Sequence, residues 1–91
     1  MNATRLLVDD YLFGAFIEES DSGDPAWLKW MHRHSINPAH VYVPSWVCVN
    51  TRLHRVVYTH MDPSLTKPEP RVVQLESRPM PFPEYRREED L

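Results

Sequence analysis

Apolar residues in the first twenty positions fall at helical intervals. Leu6, Phe13 and Ile17 are separated by seven and four, and Leu12 and Phe16 by four, so the spacing predicts one apolar stripe on a helix over residues 4–19. Gly14 costs that helix up to about 1 kcal/mol against Ala. The acidic run from Glu18 to Asp21 ends it, because carboxylates oppose the dipole at a helix C-terminus. The second helix has a stronger start. Asp24 can accept from free N–H groups of the first turn, and Pro25 suits the first helical position, where no N–H is needed. Trp27, Leu28 and Met31 share a face with Trp30 at its margin, and Lys29, His32 and Arg33 lie opposite. Pro38 pushes Asn37 out of the α region and closes the segment.

From Tyr42 the period changes to two. Trp46-Val47-Cys48-Val49 places its valines on one face and Cys48 on the other. Asn50-Thr51-Arg52 reads as a turn, and Leu53–Thr59 as a second strand rich in β-branched and aromatic residues. Three prolines between Asp62 and Pro70 make a loop. Arg71–Glu76 alternates again, with Val73 and Leu75 facing inward. The expected architecture is α+β: two N-terminal helices packed on a three-stranded antiparallel β-meander, which needs such a covering layer. Residues 1–83 form one domain. A Pro-rich C-terminal tail follows Pro79, and residues 84–91 are a charged, flexible end.

Several of these segments together carry a resemblance. Trp27-Leu28, Ile36-Asn37-Pro38-Ala39-His40-Val41, the strand with Val47 and Val49, Arg55-Val56-Val57-Tyr58, Arg71-Val72-Val73-Gln74-Leu75 and Pro79-Met80-Pro81 resemble short, uncharacterised proteins of actinobacteria and their phages. In those, a helix exit of the form WL…GI-x-P-x-x-V precedes two or three strands and a Pro-rich end. The likeness spans about residues 26–83. The chain departs from it at His34-Ser35-Ile36, where a glycine often precedes the isoleucine. The resemblance implies a fold and a phage or actinobacterial source, and no activity.

Charge is segregated along the chain. Between Pro25 and Met61 there is no Asp or Glu, yet Lys29, Arg33, Arg52, Arg55, all five histidines and all three tryptophans lie there. Residues 1–24 carry six carboxylates against one Arg, and the net charge of the 91 residues is −3. Such segregation steers an encounter without naming the partner. One cysteine, Cys48, excludes an internal disulfide and suits a reducing compartment. No apolar run reaches the roughly 18–20 residues that cross a bilayer, and Asp9 and Asp10 interrupt any signal-like start. A cytoplasmic protein without membrane contact is expected.

Catalytic chemistry finds few footholds. His32, His34, His40, Cys48, His54 and His60 offer metal donors, but His32 and His34 at i,i+2 point apart on a helix, and no C-x2-C or H-x3-H pair anchors a site. Two glycines cannot build a phosphate-cradling loop. The chain is therefore expected to be non-enzymatic, with no cofactor and no metal. The acid-free segment mixes cations with aromatics, as contacts to phosphate and bases do. Against nucleic acid stands a pI of 5.9, where about 9 or more is usual. Protein binding is the leading expectation, with Trp30 and Trp46 as apolar anchors and Arg33, Arg52 and Arg55 as charged contacts. An exposed sheet edge offers a route to a homodimer.

Overall fold

The computed structural model describes residues 4–83. Five strands form a single antiparallel sheet in chain order: β1 (Thr4–Asp9), β2 (Leu12–Ile17), β3 (Ser45–Asn50), β4 (Arg55–His60) and β5 (Glu69–Gln74). Helix α1 (Pro25–Arg33) lies between β2 and β3, flanked by 3-10 turns at Glu19–Asp21 and Pro38–His40. The class is α+β. The architecture differs from the expected one: the helix over 4–19 is a hairpin followed by a short turn, and the three-stranded meander is part of a five-stranded one.

The hairpin replaces the helix for physical reasons. Phe13, Ala15 and Ile17 form one face of β2, and Leu12, Gly14 and Phe16 form the other, so the same apolar positions satisfy a period of two. The aromatic and β-branched residues favour the extended form. β2 then pairs with β3 over six consecutive residues, from Leu12 opposite Asn50 to Ile17 opposite Ser45. No local window of sequence contains that pairing. Asp10 and Tyr11 make the turn, with the Asp10 N–H donating to Asp9 Oδ1 at 2.8 Å.

Helix α1 starts as its sequence predicts, the Ala26 N–H donating to Asp24 Oδ1 at 2.8 Å, with Pro25 in the first turn. It ends earlier than Pro38. The Ser35 N–H donates to His32 O and the Ile36 N–H to Met31 O at 2.8 Å, the reversed pair of bonds that closes a helix through a left-handed residue. That residue is Ser35, with φ of 61°. Glycine would adopt this conformation without steric cost.

The core lies between one face of the sheet and α1. Ala15, Ile17, Val47, Val49, Val56 and Tyr58 come from the strands, and Trp27, Trp30 and Met31 from the helix, joined by Ile36 and Phe82. Phe82, fully buried, belongs to the Pro-rich segment after Pro79, expected to be extended within the domain that ends at residue 83. Residues 79–82 lie along α1 as a strap. The Trp30 Nε1–H donates to the Met80 carbonyl at 3.0 Å, and the Met80 N–H donates to His34 Nε2 at 3.2 Å. The charged end at 84–91 lies outside the described residues.

Candidate interaction surface

The helix and the strap cover one face of the sheet. Among the described residues, nothing covers the other. Strand registers arrange this open face in rows across the sheet. The central row runs Leu6, Gly14, Cys48, Val57, Val72, one residue from each strand. On one side of it stand Thr4, Phe16 and Trp46; on the other, Asp9, Leu12, Asn50, Arg55 and Gln74. The face is thus apolar in the middle and aromatic toward one end. At the other end it is polar and cationic.

Exposure marks it as unfinished. Trp46 is 44 % exposed, Leu6 54 % and Val72 58 %, large values for apolar side chains sharing one surface. Trp46 lies over Gly14, whose missing side chain leaves its Cα beneath the indole, a Cβ there standing 3.5 Å from the ring. Phe16 meets the same indole edge to face at 5.4 Å. A groove of about 440 Å³ runs along this face, bounded by Leu6, Val8, Leu12, Trp46, Leu53 and Val57. Arg55 stands in its wall, the guanidinium Nε–H donating to Gln74 Oε1 at 2.8 Å. Gln74 in turn donates to the Leu53 carbonyl at 2.9 Å, which ties β5 to the β3–β4 turn.

The groove is poor in titratable side chains. Its lining has no His, Asp or Glu. Burial pushes the Cys48 thiol up from its ordinary value, so little thiolate forms. Among the described residues, no group of three His, Cys, Asp or Glu side chains gathers as a metal site, and no helix is long and apolar enough to cross a membrane.

A second polar constellation lies on the covered side. Tyr58 Oη and His60 Nδ1 are 2.8 Å apart, and His60 Nε2 and Asp62 Oδ2 are 2.6 Å apart. The Ser64 N–H and hydroxyl both donate to Asp62 Oδ1. The Ser64 hydroxyl, then His60, hold the Asp62 carboxyl well below the usual carboxylate range, while burial pushes the Tyr58 phenol up. A phenol made less acidic and 6 % exposed is poorly placed for proton transfer. The chain of bonds ties the end of β4 to the 61–65 turn.

The residues expected to bind a partner do not form one surface. Trp30 is 4 % exposed and sits in the core under the strap. Arg33 is on the helix layer, its Nη1 3.1 Å from Met80 Sδ. Trp46 and Arg55 share the open face, and Arg52 stands at the β3–β4 turn with its guanidinium 4.2 Å over the Tyr11 ring. The acid-free segment is thereby divided, with Lys29 and Arg33 on one side of the sheet and Arg55 on the other. The open face itself was missed. Its signal is the unbroken apolar runs Trp46-Val47-Cys48-Val49, Val56-Val57-Tyr58 and Val72-Val73, which read as strands covered on both faces rather than one.

No family model, no curated protein and no solved structure matches the chain.

Proposed function

We propose that the chain is a small non-enzymatic docking module that binds a protein through the open face of its sheet. Trp46 is the central apolar anchor and Arg55 the polar contact at the groove's end, the residue types that dominate interface energetics. The observation that carries this reading is the row Leu6, Gly14, Cys48, Val57, Val72, an apolar stripe spanning every strand of a sheet with one covering layer. Domains bury both faces of such a sheet or make one polar. Nucleic acid is the lesser reading, because only Arg52 and Arg55 stand at this end while Lys29 and Arg33 lie with the helix.

Gel filtration of the native cell extract tests the reading, comparing the wild-type chain with Trp46→Glu. The wild-type chain should elute within an assembly and the variant at the size of the free chain. Equal elution of two folded proteins overturns the docking surface.

A further inference from the structure

We infer that the groove on the open face binds a small apolar carboxylic acid, its chain lying across the strands over Gly14 and its carboxylate held by Arg55 and Asn50. The inference goes beyond the docking reading and does not depend on it. Phe16 and Val72 lie outside the groove lining, so an acid seated there leaves part of the face to a protein.

The groove follows from side-chain size. Its floor is the central row of the face, and the middle of that row is Gly14 on β2 and Cys48 on β3, small residues between Leu6 and Val57. Larger neighbours stand on either side: Trp46, against Phe16, in one adjoining row, and Leu12 in the other. The resulting trough of about 440 Å³ falls within the roughly 300–1,000 Å³ typical of small-molecule sites. From Arg55 on β4 to Leu6 on β1 it crosses three strand spacings, about 14 Å. An extended chain gains about 1.2 Å per bond, so an unbranched chain of roughly twelve carbons matches that span.

One end of the trough is built of donors. Asn50 and Arg55 are opposite each other across β3 and β4. The Arg55 Nε–H is engaged by Gln74 Oε1, and Gln74 is itself held by the Leu53 carbonyl, so a neighbour fixes the guanidinium. Asn50 Oδ1 accepts the Arg52 and Leu53 N–H groups at 3.1 and 2.9 Å, which leaves the amide Nδ2 to donate. Among the described residues, Arg55 Nη1 and Nη2 and Asn50 Nδ2 have no protein partner.

Charge sets the sign of the ligand. No Asp or Glu lines the groove. Asp9, in the same row as Arg55, is three strands away, about 14 Å and beyond a screening length of about 8 Å. The trough is complementary to a molecule apolar along its length and singly negative at one end. A guanidinium matches a carboxylate with two parallel bonds. A peptide suits the trough less well. β2, β3 and β4 are paired on both sides, so amides laid across them would find no partners, at a cost that a hydrocarbon chain does not carry.

Titration calorimetry of the purified full chain with dodecanoate near neutral pH tests this, with amide and indole NMR spectra to locate the contact. Dodecanoate should bind one to one at micromolar concentration and shift the Gly14 amide and the Trp46 indole N–H. Acetate, the head without the tail, should not bind. Dodecyltrimethylammonium, the tail with the opposite charge, should bind at least about tenfold more weakly. Arg55→Met, at an exposed position, should weaken dodecanoate at least about tenfold and leave the cationic chain unchanged. Gly14→Val, which fills the trough beneath Trp46, should weaken both.

No binding at hundreds of micromolar dodecanoate overturns the inference. Equal affinity for the anionic and cationic chains is unspecific adsorption and also overturns it. So does the tripeptide acetyl-Leu-Leu-Phe binding more tightly than dodecanoate, which would assign the trough to a protein C-terminus. None of these results decides the docking reading, which stands or falls on the extract assembly of Trp46→Glu.

Discussion

At Ser35 a left-handed backbone is held by a residue that has a Cβ. Such a conformation costs an L-residue of order 1 kcal/mol, and glycine adopts it freely. Ser35→Gly should therefore stabilise the protein by about 0.5–1 kcal/mol, raising the urea midpoint with the slope unchanged. One residue earlier, His34 is fixed as a neutral ring. Its Nδ1 donates to the Trp30 carbonyl at 2.7 Å and its Nε2 accepts from Met80, so the ring has no vacant nitrogen for a second proton. Burial, with a smaller contribution from Arg33, holds its pKa below 6.5, against the opposing bond to Trp30. The unfolded chain thus binds the proton more readily, and stability is present above pH 6.5 and falls as pH drops through the folded value. Asp62, also held low, acts in the same sense at more acid pH, below its unfolded value near 3.9. Urea midpoints measured from pH 7.5 to 5 should decline for the wild type and stay flatter for His34→Asn.

Element by element, local signals match the fold from Asp24 onward and fail before it. Asp24-Pro25 and the apolar face after it define α1 because capping and periodicity act within one turn. β3, β4 and β5 alternate with turn residues between them. Residues 4–17 were illegible because Leu12, Phe13, Phe16 and Ile17 fit both periods, and the deciding partner, β3, begins some thirty residues later. The core role of Phe82 was hidden for a similar reason. Three prolines around one phenylalanine look like a tail until Trp27 and Trp30 are placed beneath it, with ring centroids 5.6 and 6.0 Å from Phe82. Phe82→Ala should cost about 3–5 kcal/mol, read as a lowered urea midpoint. That is the loss of a core residue rather than of a tail. Of the candidate site, Trp46 and Arg55 were visible as residue types. Their common face was not, because it depends on the register of strands that meet only in the folded sheet.

Taken whole, the molecule is a two-layer domain whose sheet has apolar residues on both faces. The two faces should respond oppositely to substitution. Val56, fully buried among the core residues, should cost about 2 kcal/mol on replacement by Ala. Val72, on the open side of its strand, should tolerate Lys within about 0.5 kcal/mol in the isolated chain. Urea unfolding of the two variants side by side measures this asymmetry, and equal costs would mean that both faces are covered in the free protein.

The strap also has a meaning for a chain that is made in order. Each strand of the sheet pairs with the one synthesised before it, so the sheet can assemble as it emerges. Phe82, however, completes contacts with Trp27 made fifty-five residues earlier, and until it arrives the helix layer has a gap over its tryptophans. A chain cut short near residue 78 would therefore expose apolar surface on both sides at once. Residues 79–82 decide whether the folding chain shows one sticky face or two.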